Sequence, residues 1–203
     1  MKIALIGITG NVGTRLSQEL LSRGHQVTGI ARHPEKASPR PGLTLKRGDV
    51  QNETELAGLL AGHDAVLHSV MFQSTDAHKV IRATKQAGVK RLLVVGGAGS
   101  LEVAPGVQLI DTPEFPALYK AEASGGRDFL NVLRAEKELD WTFLSPSAFF
   151  APGERTGKFR LGTNQLLVAE NGESKISMED FAIALVDELE QPKHSRQRFT
   201  VGY

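Results

Sequence analysis

A glycine-rich turn near the start of the chain constrains the fold more than any other feature. Gly7, Gly10 and Gly13 link a strand-like segment, residues 2–7, to a segment, residues 11–23, whose apolar residues recur at a spacing of four. The first segment is typical of a buried strand, and the spacing in the second is typical of one face of a helix. Glycines in such a turn keep it tight, let a pyrophosphate approach the backbone and let the helix pack closely on the strand.

The helix that follows this turn would present free N–H groups and a positive dipole end to phosphates. We therefore predict a dinucleotide site in this segment. Its predicted contacts are Gly7, Thr9, Gly10, Asn11, Val12 and Gly13. The alternative is a glycine turn that serves packing alone.

Strand-like and helix-like segments alternate along the rest of the chain. Residues 25–31, 43–49, 65–70, 91–95 and 141–144 are predicted strands, and residues 53–61, 73–87 and 122–139 are predicted helices. This alternation favours an α/β fold, a Rossmann-type doubly wound parallel sheet with helices on both faces. Residues 101–116 contain three prolines and no clear period, and we expect a long loop there.

The last fifty residues differ in pattern from the core. Ser177 and Asp180 have the spacing of a helix N-terminal cap, and residues 198–203 are a predicted final strand. We expect one domain over residues 1–203, with a core over about residues 1–150 and a small C-terminal substrate lobe over about residues 151–203.

Composition excludes several classes of function. The formal net charge of +1 gives no reason to expect a nucleic-acid or membrane partner. The absence of cysteine removes disulfides and thiolate nucleophiles, and it fits a cytoplasmic location. No metal-ligand spacing is present, so no metal is predicted. The N-terminal apolar run ends at Ile8, which is too short for a secretory signal.

The end of the second predicted strand distinguishes between nicotinamide cofactors. Chains that bind NAD place an acid there for the ribose 2′-hydroxyl, whereas an arginine accommodates the 2′-phosphate of NADP. Arg32 occupies that position, so NADP(H) is the predicted cofactor, although a solvated surface arginine is the alternative. Asp49, after the third strand, is a candidate for the adenine amino group or for a loop carboxylate.

Ligands of doubly wound sheets collect at the carboxyl ends of the strands. The residues there that we predict to contact the cofactor are His68, Ser69, Gly96, Gly97, Ser145 and Pro146. His68 is also a candidate catalytic residue, and its alternative role is packing.

Several motifs together resemble a known superfamily. They are the Gly7 turn, Ala31-Arg32, Gly48-Asp49-Val50, residues 96–100, Asp140-Trp141-Thr142 with Ser145-Pro146, and residues 176–181. Over nearly its whole length the chain resembles the atypical, extended-like branch of the short-chain dehydrogenases/reductases. Within it, the chain is most similar to the NADH-flavin reductase group, related to biliverdin-IXβ/flavin reductase and to NmrA-like proteins.

The resemblance implies a catalytic serine and a Tyr–Lys pair, and the chain departs from the second. Ser100 matches the position of the serine. Tyr119 is the candidate tyrosine, but Ala123 stands four residues later, and Lys120 would project about 100° away on a helix. Ser100, Tyr119 and His68 are thus the catalytic candidates. Without the Tyr–Lys pair, Ser100 has a structural role in its turn as the alternative.

The absence of the Tyr–Lys pair as a proton donor affects the type of reaction. Reduction of a carbonyl to an alcohol benefits from a positioned proton donor, whereas a conjugated ring can take its proton from solvent. We predict an NADPH-dependent oxidoreductase that passes hydride to a planar acceptor such as FMN or FAD. The alternatives are a non-catalytic NADP(H) sensor of the NmrA-like kind and an NAD(P)-dependent epimerase or dehydratase.

The segment that follows the sixth strand holds four residues that we predict to contact the substrate. Phe149 and Phe150 would form an apolar platform, or else belong to the core. Arg155 and Lys158 would bind an acidic group, or else lie on a solvated hairpin. A monomer or a homodimer is expected.

Overall fold

An eight-stranded sheet crosses the protein in a computed structural model that describes all 203 residues. The strands of the chain are β1 (Lys2–Ile6), β2 (Gln26–Ala31), β3 (Leu43–Arg47), β4 (Ala65–His68), β5 (Arg91–Val95), β6 (Glu102–Ala104), β7 (Val107–Gln108), β8 (Asp140–Ser145), β9 (Phe149–Ala151), β10 (Arg160–Gly162), β11 (Lys175–Ser177) and β12 (Gln197–Gly202). The main sheet has the order β10-β12-β8-β5-β4-β1-β2-β3, and only β10 runs antiparallel to its neighbour.

Helices cover both faces of this sheet. They are α1 (Asn11–Ser22), α2 (Glu53–Leu60), α3 (Ala77–Gln86), α4 (Lys120–Ala135) and α5 (Met178–Glu190). Successive residues of β1 face opposite sides, since Leu5 packs in the core under α1 and α5, and Ile6 packs in the core under α2, α3 and α4. The predicted Rossmann-type α/β fold is confirmed, and the strand order reverses between β1 and β4, the place where such sheets bind ligands.

The C-terminal residues extend this architecture. Strand β12 pairs in parallel with β8 inside the main sheet, and α5 packs against α1. The side chain of Ser177 accepts a hydrogen bond from the Asp180 amide at 3.0 Å, which confirms the predicted cap of α5. The boundary near residue 150 stays a prediction.

Three predicted elements differ from the structure. Helix α3 begins at Ala77 because the Asp76 side chain caps it, not at residue 73. Helix α4 ends at Ala135, four residues early, since the Glu136 carboxylate accepts hydrogen bonds from the next turn. The segment 101–116 holds the hairpin β6–β7 rather than being wholly irregular. None of the helices combines the length and the apolar character that crossing a membrane requires.

Candidate dinucleotide and acceptor site

The three glycines of the first turn meet different constraints. Gly7 has a φ of +89°, and a Cβ there would overlap the carbonyl oxygen of Ser69. A Cβ on Gly13 would overlap the carbonyl oxygen of Gly7. The protein itself therefore needs both glycines, for the turn and for the contact between α1 and the turn. A Cβ on Gly10, in contrast, would have its nearest neighbour at 3.4 Å, so the fold alone does not require glycine there.

Helix α1 begins directly at this turn. Gly10 is its N-cap and supplies no side-chain cap, and the first turn holds no acidic residue. The first N–H groups of a helix lack partners within it, and the dipole favours an anion beside them. Thr9, Gly10 and Asn11 are exposed, so a phosphate group can reach this end of the helix.

A cavity of about 380 Å³ lies next to this turn, at the carboxyl ends of β1 to β4. Among the predicted cofactor residues, those that line it are Gly7, Thr9, Gly10, Arg32, Asp49 and Ser69. The Arg32 side chain is exposed and makes no hydrogen bond or ion pair within the protein. Asp49 accepts a hydrogen bond from the Gln51 amide at 2.9 Å while it lines the cavity, so one carboxylate shapes the loop and faces the cavity.

A second cavity of about 450 Å³ lies beside the first. Its wall is largely apolar. The lining residues are Phe72, Gly96, Gly97, Ala98, Gly99, Leu109, Thr112, Glu114, Phe115, Pro116, Tyr119, Glu122, Ala123, Pro146, Ser147, Ala148 and Phe150. Consecutive residues of one segment line both cavities, since Met71 and Ser74 face the first and Phe72 the second. We name them the nucleotide cavity and the acceptor cavity.

A residue of α4 holds the segment that separates the two cavities. The Glu122 carboxylate accepts hydrogen bonds from the amides of Phe72 at 2.6 Å and of Gln73 at 3.0 Å. Such bonds to an ionised acceptor are stronger than neutral ones. Glu122 was missed at the level of sequence, because its partners lie about fifty positions earlier in the chain.

Of the three predicted catalytic residues, Tyr119 alone lines the acceptor cavity. Tyr119 precedes α4, lines the acceptor cavity and is 60% exposed, and its hydroxyl makes no hydrogen bond. Ala123, one helical turn later, lines the same cavity, so no lysine stands beside the phenol. Ser100 is only 3% exposed and does not line the cavity; its hydroxyl accepts a hydrogen bond from Arg198 at 3.2 Å. This geometry favours the structural alternative for Ser100, and its catalytic role stays a prediction.

His68 lies in the core. Its side chain is fully buried on the α4 side of the sheet, with its ring centroid 5.2 Å from that of Phe129 and 6.4 Å from that of Phe72. Neither ring nitrogen has a hydrogen-bond partner. Burial lowers the pKa of His68 to about 4, so the ring is neutral at neutral pH. This position favours the packing alternative, and a contact of His68 with cofactor or substrate stays a prediction.

Arg198 ties the ends of two strands together and was also missed. It is buried and donates hydrogen bonds to the hydroxyls of Ser100 and Ser145 and to the Asn164 side chain. Burial lowers its pKa to about 10, which still leaves it protonated at neutral pH. Ser145 is thus held by Arg198 and does not line either cavity, so its contact with the cofactor stays a prediction. Gly96, Gly97 and Pro146 line the acceptor cavity.

Of the four predicted substrate residues, only Phe150 lines the acceptor cavity, where its ring packs 4.8 Å from that of Phe181. Phe149 is 66% exposed and lies outside the cavity. Arg155 forms an ion pair with the buried Glu19 of α1 at 2.9 Å, and Lys158 lies on an exposed loop. Neither cation lines the acceptor cavity, so the geometry favours the alternative of a solvated charged loop, and their contact with an acidic substrate stays a prediction.

The residues of the nucleotide cavity fit a dinucleotide. The turn leaves open the space that a Cβ on Gly10 would occupy, the N-terminus of α1 has no internal cap, and Arg32 is free to pair with an anion. These features meet at the strand-order reversal.

Comparison with known proteins agrees with this geometry. The model of a family described as NAD(P)H-binding matches residues 7–192. A solved structure from Bacteroides thetaiotaomicron, assigned as an epimerase, is 44% identical, covers 100% of this chain and 96% of its own, and has a TM-score of 0.95. One from Streptococcus pneumoniae, assigned as an NADH-flavin reductase, is 35% identical over 100% and 99% of the two chains, with a TM-score of 0.87. A third, from Burkholderia pseudomallei and assigned as an exported protein, is 46% identical over 100% of both chains, with a TM-score of 0.91.

Proposed function

The chain belongs to the NAD(P)H-binding family, and on that premise we propose that it is an NADPH-dependent oxidoreductase that reduces a planar, conjugated acceptor such as a free flavin. The observation that carries the proposal is the pair of adjoining cavities, one with the features of a dinucleotide site and the other apolar. The relative assigned as an NADH-flavin reductase supports the same type of reaction.

Each part of the nucleotide cavity has a defined task in this proposal. The Gly10 backbone and the N-terminus of α1 hold the pyrophosphate, and Arg32 pairs with the 2′-phosphate. NADPH, when bound, supplies the hydride. The Gly96–Gly97 backbone, which lines the acceptor cavity beyond the ends of β5 and β8, leaves room for the nicotinamide end of the cofactor.

The acceptor cavity orients the acceptor and excludes water from its faces. Phe72, Phe115 and Phe150 offer aromatic surface to a flat ring. Tyr119 is the tyrosine of this wall, and no lysine lines the cavity with it. A conjugated ring spreads the added electron pair and takes its proton from solvent, and this reaction therefore requires chiefly that donor and acceptor are held face to face.

NADPH oxidation tests the proposal directly. The purified protein is mixed with NADPH and, in turn, with riboflavin, FMN, a quinone and biliverdin, and the loss of NADPH absorbance is followed. We expect turnover with at least one acceptor and none without acceptor. Binding of NADPH without turnover of any of them would refute the reductase and leave the sensor, which we would then test by capture of a partner with oxidised and reduced cofactor.

An epimerase is the second candidate function. The similarity to the Bacteroides thetaiotaomicron structure favours it, as does the position of Tyr119 in the acceptor cavity. An epimerase would interconvert sugar nucleotides with bound cofactor and without net NADPH consumption. Detection of that conversion, abolished by Tyr119→Phe, would replace the reductase as the conclusion.

The cellular setting is part of the same proposal. We propose a cytoplasmic enzyme, active as a monomer or homodimer, with a small-molecule acceptor and no nucleic-acid or membrane partner. Cell fractionation tests this location against the periplasm or the medium, as one similar structure is assigned as an exported protein. Analytical ultracentrifugation tests the oligomeric state.

A further inference from the structure

The charged residues of the acceptor cavity are all acidic. Glu114 and Glu122 line it, and no lysine, arginine or histidine does. Glu122 is occupied by two backbone amides, which leave its negative charge in place. Glu114 is exposed and forms no ion pair. The wall that faces an acceptor therefore carries two uncompensated negative charges.

No cation in the cavity wall offsets these charges. Arg127, on the next part of α4, is paired with Asp111 at 3.1 Å. Arg198 is buried behind Ser100 and hydrogen-bonded to neutral groups. Lys120 is exposed and lies outside the cavity wall.

The remainder of the wall is apolar. Phe72, Leu109, Phe115, Pro146 and Phe150 give it the character of a site for a flat, desolvated ring. An acceptor with a phosphate or carboxylate would bring that anion toward the glutamates, at a Coulomb cost that rises as water is displaced. An uncharged acceptor has the same apolar contacts without this cost.

We propose that the acceptor cavity selects uncharged planar acceptors, of the riboflavin or quinone class, over anionic ones such as FMN, and that Glu114 and Glu122 determine this specificity. The inference rests on the proposed reductase function. The reaction balances as NADPH plus a proton plus the oxidised acceptor giving NADP⁺ and the two-electron-reduced acceptor: the hydride, with both electrons, goes to the ring and the one proton comes from solvent.

Riboflavin and FMN test the inference well because they share one ring system and differ by a phosphate. The dissociation constant of each is measured by quenching of flavin fluorescence in the presence of NADP⁺, and kcat/KM of each is measured with NADPH. We expect riboflavin to be favoured about tenfold in both quantities at low salt, which is the factor that about 1.4 kcal/mol of repulsion produces. The preference should shrink at high salt, where charges are screened.

Variants of the cavity wall test whether its glutamates cause the preference for riboflavin over FMN. Glu114→Gln should reduce the preference for riboflavin over FMN about threefold, and Glu114→Lys should abolish or reverse it. Glu170→Gln is the matched control, since Glu170 is an exposed glutamate outside both cavities. Glu122→Gln is a secondary variant, because an amide supplies only one acceptor for the two backbone donors.

The outcomes separate the inference from the proposed function. Selective binding of riboflavin without turnover supports the specificity and refutes the reductase. Turnover with equal or better use of FMN supports the reductase and overturns the specificity, as does a preference that Glu114→Lys leaves unchanged. Failure of both flavins and of a neutral quinone to bind overturns both.

Discussion

Replacement of Arg32 with alanine is expected to weaken NADPH binding while it leaves NADH binding nearly unchanged. Arg32 lines the nucleotide cavity and has no partner within the protein, so its guanidinium is available for the 2′-phosphate that distinguishes the two cofactors. Arg32→Asp should go further, because an acid repels the phosphate and accepts a hydrogen bond from the 2′-hydroxyl of NADH.

The size of the effect follows from the exposure of this side chain. A hydrogen bond to a charged group contributes about 1.5–3 kcal/mol. Because Arg32 is exposed, we take the lower half of that range, about 1.5–2 kcal/mol, which corresponds to about a 10- to 30-fold rise in the dissociation constant of NADPH. The variant loses no internal hydrogen bond or ion pair, so its free energy of unfolding should change by less than about 0.5 kcal/mol.

Isothermal titration calorimetry with NADPH and NADH measures both constants for the wild type and the variants. Arg134→Ala is the matched control, since Arg134 is an exposed arginine of α4 far along the chain from the nucleotide cavity and does not line it. Equal loss of NADPH and NADH affinity in Arg32→Ala, or no loss of either, would refute the assignment of Arg32 to the 2′-phosphate.

Three further predictions concern the turn and the buried titratable groups. Gly10→Ala should fold normally but lose NADPH affinity at least about tenfold, because the added Cβ would fit the protein yet occupy the space through which the pyrophosphate approaches. Gly58→Ala, in α2 with open space around it, is the control. Loss of the fold in Gly10→Ala would contradict this prediction. Burial lowers the pKa of His68 to about 4, whereas in the unfolded chain the ring takes up its proton near pH 6.5. The free energy of unfolding should therefore fall by on the order of 3 kcal/mol as the pH decreases from 6.5 to 4. In urea titrations His68→Leu should flatten this part of the pH profile, and an unchanged slope would disprove the role of His68. Burial raises the pKa of Glu19, but hydrogen bonds from Arg155 and Arg23 outweigh burial and hold that pKa below its ordinary value. Glu19→Gln should therefore lower the free energy of unfolding by about 1–2 kcal/mol at pH 7, and this difference should shrink as the pH falls through the folded pKa of Glu19. A difference that persists at low pH would show that the charge of Glu19 is not its source.

Some features of this protein can be predicted from local sequence alone. The glycine turn, the alternation of strand and helix and the cap of α5 are each determined by residues within a few positions of one another. The position of Arg32 can be predicted in the same way, because Arg32 directly follows the second strand and so lies at the edge of the predicted sheet. The nucleotide cavity was thus largely predictable.

The acceptor cavity was not. His68 and Ser69 are adjacent in the chain, yet His68 lies in the core and Ser69 lines the nucleotide cavity, because successive residues at a strand end point to opposite sides. Ser100 resembles a catalytic serine, but Arg198, from a strand at the other end of the chain, holds it away from the cavity.

The sequence by itself therefore determined the fold and the kind of cofactor, since these depend on periodicity and on short-range spacing. Only the tertiary structure decided the chemistry of the acceptor wall. It paired Arg155 with Glu19, 136 positions away, and brought Glu122 to the segment of Phe72. Which charges remain free to meet a substrate depends on such long-range pairs, because an ion pair that forms inside the protein removes both of its members from the site.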